Sequence, residues 1–362
     1  MLSQAQTSQQ RSPMELASAE ADSSPLPTVA ICIGTYNQSQ YLRGSIESAL
    51  AQSYPIEEIW VADDASTDDT PAVMEEICRE YPQIRYYRQP VNMRLPGNLS
   101  SLLSKPSTEL IVRLDSDDRL EPDYVAVLAE LMRQYPLAGF AHCDVTELDR
   151  DNNRSRVRRL RRSFVYESGQ DALKSNASGY RTAANCILYR SQALREVNYY
   201  IPNLTWGTCE DWDMCLRIAA KGWGNVYAAQ TLSNYRVWDD AQGVRATRKM
   251  SEVMTTIDIY KNTLIPEYKK RGWSVAPLIH NMRVKAVGFA DAIDSPLFTA
   301  KERLDYKALL RQLGDCMGLS IAIAMADCGM NPLVRFWGRT RLQLKDTAKV
   351  LLRSLKGGQV RS

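Results

Sequence analysis

Three carboxylates fall within four positions of the stretch "LIVRLDSDDRL" (110–120): Asp115, Asp117 and Asp118. Like charges this close raise one another's pKa unless a cation relieves them. The cation that suits a set of carboxylate oxygens is a hard divalent ion, Mg²⁺ or Mn²⁺, which often bridges to substrate phosphates. Zinc suits the chain poorly, because there are only two histidines, His142 and His280, and no close pair among the eight cysteines. A calcium-binding EF-hand loop is excluded as well. Leu120 stands where that loop needs glycine, and Ala126 where it needs its closing glutamate. Two further acidic stretches are candidates: "DDASTDD" (63–69), with Asp63 and Asp64, and "EDWD" (210–213), with Glu210 and Asp211. Taken singly, each of the three could be ordinary turn and helix-cap chemistry in water.

Acids of this kind need elements to position them. "VAICI" (29–33) is a continuous apolar run closed by "GTYN", as expected of a strand buried on both faces. Leu42, Ile46, Ala49 and Leu50 then repeat at helical spacing. "IWVA" (59–62) predicts a second strand, and Pro71 a helix start with Met74, Ile77 and Tyr81 on its apolar face. "IRYY" (84–87), "LIVRL" (110–114) and "LAGFAHC" (137–143) read as further strands, with a helix opened by Pro122 before the last. Strands alternating with helices imply an α/β fold with a mostly parallel sheet flanked by helices. Ligands of such sheets bind beyond the carboxyl ends of the strands, where "GTYN", "DDASTDD" and "DSDD" all lie.

The remainder of the chain frames this core. Residues 1–27 are rich in Ser, Gln and Ala and read as a disordered tail. A 28–245 α/β domain and a 246–362 helical region follow, the latter with stripes such as Met250, Val253, Met254 and Ile257, or Leu304, Leu309, Leu310 and Leu313. At 362 residues, 44% hydrophobic and 24% charged, the composition is that of a soluble globular protein. A net charge of +3 implies no nucleic-acid partner. Cysteines scattered in apolar runs, and an N-terminus without an apolar signal core, point to a reducing cytoplasmic setting.

Together the motifs carry a resemblance. "TVAICIGTYNQSQYLRGSIESALAQSYPIEEIWVADDASTDDT", then "LIVRLDSDDRLEPDY", then "CEDWDMCLRIAAKGWG" (209–224) resemble, in that order, an inverting family 2 glycosyltransferase of the GT-A fold. The resemblance implies transfer of a sugar from a nucleotide-diphosphate donor, expected to be UDP-linked, to a glycan or lipid-linked saccharide acceptor, with Mn²⁺ or Mg²⁺ as cofactor. It implies that Thr35, Tyr36 and Asn37 line the nucleotide pocket and that Asp64, with Asp63, holds uracil or ribose. Asp115 and Asp117 become the D-x-D pair, with Asp117 the direct metal ligand. Asp211 becomes the general base, and Glu210 supports it or reads the acceptor. "VNMRLPGNLSSLL" departs from the family pattern by placing Arg94 where glycine is usual; Asn92 and Asn98 match, and Arg94 is a candidate phosphate or base contact. "YRVWDD" (235–240) has Trp238 where the family has a histidine that helps hold metal or diphosphate, leaving Arg236 as a candidate for the phosphate charge. Trp206 and Trp212 are either core residues or sugar-stacking platforms.

Other readings stay open at this point. The missing histidine suits a non-catalytic sugar-nucleotide or glycan-binding protein on the same fold. A nucleotidylyltransferase shares the sheet and acidic site but calls for a Gly-rich loop after the first strand, which "GTYNQSQ" lacks. The arginine-rich "RSRVRRLRR" (154–162) is either a solvated mobile loop or a flap meeting an anionic acceptor. The last 32 residues hold eight Lys or Arg against Asp346 alone. Their helical spacing suits peripheral contact with the inner face of an anionic membrane, or packing on protein.

Overall fold

A computed structural model describes residues 25–182, 186–201, 209–238 and 244–330. The greater part of the proposed tail, Trp206 and the whole basic C-terminal segment lie outside these residues. The chain divides into two compact units, Met1–Trp238 and Asp239–Ser362.

The first unit is built on a mixed sheet flanked by helices. In chain order its strands and helices are β1 (Val29–Thr35), α1 (Ser39–Leu50), β2 (Glu58–Asp63), α2 (Thr70–Glu80), β3 (Ile84–Arg88), α3 (Arg94–Leu103), β4 (Leu110–Asp115), β5 (Arg119–Leu120), α4 (Tyr124–Gln134) and β6 (Ala138–Leu148). After β6 come β7 (Arg154–Arg158), β8 (Tyr166–Glu167), α5 (Gly169–Asn176), β9 (Ile187–Arg190), α6 (Ser191–Glu196), α7 (Glu210–Ala220) and β10 (Gly224–Arg236). The strand order is β3-β2-β1-β4-β9-β6-β10-β5, with β7 beside β6 and β8 beside β10. From β3 to β4 every pairing is parallel, as the alternating apolar runs predict. β9 then enters antiparallel to both β4 and β6, so β6 runs in the same direction as β4.

The alternation of side chains along each strand assigns the two core faces. Val29, Ile31 and Ile33 pack with Val61, Val112 and Leu114 on one face, against Leu42, Ile46, Met74 and Leu128 of the helices. Cys32, Ala62 and Ile111 lie on the other face with Leu99, Leu102, Leu194, Met214 and Ile218. Burying each such side chain contributes about 1.5–3 kcal/mol. All eight cysteines are free, and Cys32, Cys143, Cys186 and Cys215 are buried as small hydrophobes. At Gly34 a Cβ would come within 3.2 Å of Leu99 Cδ2, so glycine lets α3 approach β1 next to the site.

The second unit is helical throughout its described residues: α8 (Val244–Asp258), a π-helical turn (Ile259–Leu264), α9 (Ile265–Lys270), α10 (Ala276–Phe289), α11 (Ala300–Gly314) and α12 (Met317–Asp327). Thr299 opens α11 with a capping box, its hydroxyl accepting from Glu302 N at 3.2 Å while Glu302 Oε2 accepts from Thr299 N at 2.8 Å. The predicted leucine stripe of this helix shifts. Tyr306, Leu310 and Leu313 are buried, whereas Leu304 is 66% exposed, because Tyr306 takes the inward turn and donates to Phe289 O at 2.9 Å. Among the described residues no helix is long and apolar enough to cross a membrane.

Candidate active site

The carboxyl ends of β1, β2 and β4 lie side by side, with Thr35 in register with Asp63 and Gly34 with Asp115. This brings the predicted nucleotide-side residues together, though in different capacities. Asn37 adopts φ 53°, a left-handed conformation that asparagine tolerates. Its backbone N–H donates to Ser66 Oγ at 3.0 Å and its Oδ1 accepts from Thr67 N at 2.8 Å, which staples the loop after β1 to the loop after β2. Asp63 is fully buried and spends both oxygens on the protein: Oδ1 on Ser66 N (2.8 Å), Oδ2 on Tyr86 OH (3.2 Å) and Arg88 (3.2 Å). Asp64 Oδ1 accepts from Met93 N at 2.7 Å and so fixes the start of α3; burial pushes its carboxyl above the ordinary range. Asn92 Oδ1 accepts from Arg94 N at 2.9 Å, supporting φ 62° at Arg94. Thr35 Oγ1 is buried without a hydrogen-bond partner, while Tyr36 is 45% exposed and Arg94 exposed. Asn37, Asp63, Asp64 and Asn92 thus each hold a contact within these loops, while Tyr36 and Arg94 are exposed.

The second cluster is of another kind. Asp115 closes β4, Asp117 and Asp118 follow in the turn, and Glu210 and Asp211 form the first turn of α7. Sequence reasoning missed what joins them. Arg113, inside the apolar run of β4, is completely buried, and its guanidinium reaches Asp115 Oδ1 at 3.1 Å, Tyr200 OH at 3.0 Å, and Asp211 Oδ1 in a short ion pair. Glu210 Oε1 lies 3.9 Å away, and Tyr200 OH donates to Asp211 Oδ1 at 2.6 Å. A lone arginine in a buried strand was the signal available, since a buried charge needs partners. Desolvation pushes the Asp211 carboxyl up, with Arg113 and Tyr200 opposing it. Desolvation, with the Asp211 charge beside it, pushes Glu210 up to about 7. Asp117 is raised by burial and by Asp115, and Asp118 well above its ordinary value by burial and both neighbours.

Several tentative roles resolve. Trp238 Nε1 donates to Asp117 Oδ2 at 2.8 Å and its ring meets Tyr41 edge-on at 5.5 Å, so the residue in the histidine's place orients the carboxylate. Arg236 is engaged by the protein itself. Its guanidinium donates to Asp117 O (3.0 Å), Asn152 Oδ1 (2.6 Å) and Asp149 O, and stacks on Tyr41 at 4.0 Å, while its backbone N–H donates to Asp118 Oδ1 at 2.8 Å. Trp212 is a core residue, 3% exposed, donating to Asn176 O at 2.9 Å. The arginine-rich stretch is not a mobile loop, because its first five residues form β7, antiparallel to β6.

Among the described residues no three His, Cys, Asp or Glu side chains converge as a ready metal cage. The donor set nonetheless fits a hard divalent cation that takes its remaining ligands from a diphosphate and water. Asp115 is already paired with Arg113, whereas Asp117 is held by a neutral indole N–H, its pKa raised by burial and Asp115. Asp117 is thus the carboxylate a cation would relieve, with Asp115 behind it.

The sequence profile described as "Glycosyl transferase family 2" matches residues 30–197. EpsE of Bacillus subtilis (strain 168), whose name marks it as a glycosyltransferase, is 30% identical over 241 residues, 65% of this chain and 81% of its own length. Of two other curated relatives the chain spans only 18% and 12% of the length. Among solved structures, the mannosyltransferase PcManGT from Pyrobaculum calidifontis, in complex with GDP-Man and Mn²⁺, superposes with a TM-score of 0.53 at 16% identity, covering 92% of each chain. S. aureus TarS 1-349 in complex with UDP-GlcNAc gives 0.52 at 13% identity, covering 83% of this chain and 92% of that one. At these identities the structures speak for the fold.

Proposed function

The chain belongs to glycosyl transferase family 2, and from that premise we propose that it is a metal-dependent inverting glycosyltransferase, moving a sugar from a UDP-linked donor to a hydroxyl of a glycan or glycolipid. The observation that carries this reading is the imbalance of the second cluster, where five carboxyl groups face two buried arginines: Arg113 pairs with Asp115, Asp211 and Glu210, and Arg236 lies beside Asp117 and Asp118. When bound, a divalent cation would supply charge neutralisation for the departing diphosphate. Asp117 would hold it, with Asp115 in support.

Asp211 is assigned as the base for the acceptor hydroxyl. Arg113 and Tyr200 both converge on its Oδ1, which orients the carboxylate and leaves Oδ2 to take the proton. Glu210, the residue before it, whose carboxyl burial and the Asp211 charge push up to about 7, is assigned to support that base or to read the acceptor. Direct displacement at the anomeric carbon needs no enzyme nucleophile. Thr35, Tyr36 and Arg94 receive the nucleotide. The similar structures, which hold GDP-Man with Mn²⁺ and UDP-GlcNAc, support a nucleotide-sugar donor, and the eight free cysteines suit a cytoplasmic site of action.

The test is release of nucleoside diphosphate from UDP-, GDP- and dTDP-sugars with Mn²⁺, Mg²⁺ or EDTA. Metal-dependent release from one donor is expected, falling by at least about 10²-fold in Asp117→Ala. Asp211→Asn should lose about 10²–10⁴-fold in transfer while still binding UDP with Mn²⁺. Full activity in either variant removes the assigned role. Wild-type protein that neither releases nor binds any nucleotide leaves the non-catalytic reading in its place.

A further inference from the structure

β6 is bordered along one edge by β10. Its other edge is shared: β9 pairs with Phe140 and Ala141, and β7 with Val145 to Leu148. β7 therefore takes over β9's lane at the carboxyl end of the sheet, the end that carries Asp115 and Asp117. Residues 154–162 hold six arginines and no acid. Three of the six anchor the segment. Arg154 pairs with Glu121 at 2.6 Å, Arg158 with Glu147, and Arg162 is largely buried, donating to Asn225 Oδ1 at 2.6 Å beneath Phe164. Leu160 N donates to Asp144 Oδ1 at 3.0 Å. The other three, Arg156, Arg159 and Arg161, are exposed and form no ion pair among the described residues. Arg161 is held at φ 51°, a left-handed conformation costing an ordinary residue about 1–2 kcal/mol. A segment pinned by three arginines while three more stand free in water is a built cationic edge.

The edge also leads somewhere. The turn joining β6 to β7 carries exposed Arg150, whose guanidinium lies 5.8 Å from the Trp238 ring, and Trp238 donates to Asp117. The same turn receives the Arg236 guanidinium through Asp149 O and Asn152. Exposed arginines thus follow β7 to the turn, which also carries Asp149 and Asp151, and Arg150 of that turn reaches the Trp238 that holds Asp117. Arginine without lysine favours anions that present two oxygens to its planar fork, such as phosphodiesters and carboxylates. A lipid surface would give no reason for the arginines to reach inward to Trp238.

We propose that the β7 edge binds an anionic saccharide chain, carrying phosphodiester or carboxylate groups, and delivers its terminal hydroxyl to the site. This rests on the glycosyltransferase reading and adds the charge of the acceptor to it. The experiment compares full-length protein with Arg156→Ala/Arg159→Ala/Arg161→Ala, three exposed side chains outside the catalytic machinery. Binding is measured to a glycerol phosphate oligomer, a hyaluronan hexasaccharide, neutral maltohexaose, and vesicles containing phosphatidylglycerol. UDP binding with Mn²⁺ is measured on both proteins. The wild type is expected to bind one of the anionic oligomers, more weakly as salt rises, with maltohexaose silent. The triple variant should bind it at least about tenfold more weakly, with UDP binding unchanged. Equal binding by the variant, binding to neither anion, or a loss confined to the vesicles overturns the proposal. Failure of both proteins to bind UDP would instead strike the glycosyltransferase reading, whatever the oligomers do.

Discussion

The first unit carries two acidic clusters, at the ends of the strands that flank and extend β1, and they settle their charge by different means. In "DDASTDD" compensation is local. Asp63 is satisfied by Ser66 N, Tyr86 and Arg88. Asp68 Oδ2 accepts from Ser39 N at 3.1 Å and Oδ1 from Thr70 N at 3.0 Å, so one carboxylate serves the first turns of α1 and α2. Burial works against its charge, but the Thr70 and Ser39 hydrogen bonds prevail and hold its pKa below the ordinary value. In the cluster of Asp115, Asp117, Asp118, Glu210 and Asp211, chain neighbours supply little, Arg113 and Arg236 serve five carboxyls, and four of the five are pushed upward. An acidic cluster that its own backbone has satisfied is architecture; one left short of positive charge is prepared for a cation and a proton transfer.

Removing the shared cation is the largest test of this contrast. Arg113→Met fills a similar volume but leaves buried Asp211 and half-buried Asp115 without their cation, and breaking a buried pair in this way costs about 3–5 kcal/mol. Urea unfolding should show that loss, and Mn²⁺ should recover part of it by taking up the charge the arginine no longer balances. A cost under about 1 kcal/mol would mean that the two clusters are not different in kind.

A smaller effect follows from Glu210. Its carboxyl moves from the ordinary 4.5 to about 7 on folding. Between those values the folded chain keeps a proton that the unfolded chain has released, so stability falls as pH rises through the window and the full burden is present above about 7. Glu210→Gln removes the titration. The variant should lose less stability than wild type between pH 5 and pH 8 in parallel urea titrations. Identical slopes would show that Arg113 already cancels the charge.

What the sequence disclosed follows the same division. β1 to β4 were legible because each strand is a continuous apolar run, and the loops after them because local turn chemistry is written in adjacent residues. The partnership of Arg113 with Asp211 spans 98 positions and Trp238 with Asp117 spans 121, so neither leaves a local trace. β7 was hidden for another reason. Its outward residues are arginines, which resemble solvated coil until β6 is known to pair with them. Asp117, Asp211 and Arg236 took their expected roles from resemblance, and motif position alone says nothing of how the Arg236 guanidinium is engaged by Asp117 O and Asn152.

The smallest test works from the opposite side, on the cluster that should be architecture alone. Asp68→Ala removes acceptors from the first turns of two helices, and losing a cap costs about 0.5–2 kcal/mol. The unfolding midpoint should drop accordingly, while the Mn²⁺ concentration giving half-maximal release of nucleoside diphosphate stays where it was. Asp68 is fastened to Ser39 and Thr70, and Asn37 Oδ1 accepts from both Thr67 N and Asp68 N, so the damage would stay within the loops that join β1 and β2 to their helices. A shift in the Mn²⁺ requirement would show that these loops also set the position of Asp117. The two clusters would then have to be treated as one electrostatic site.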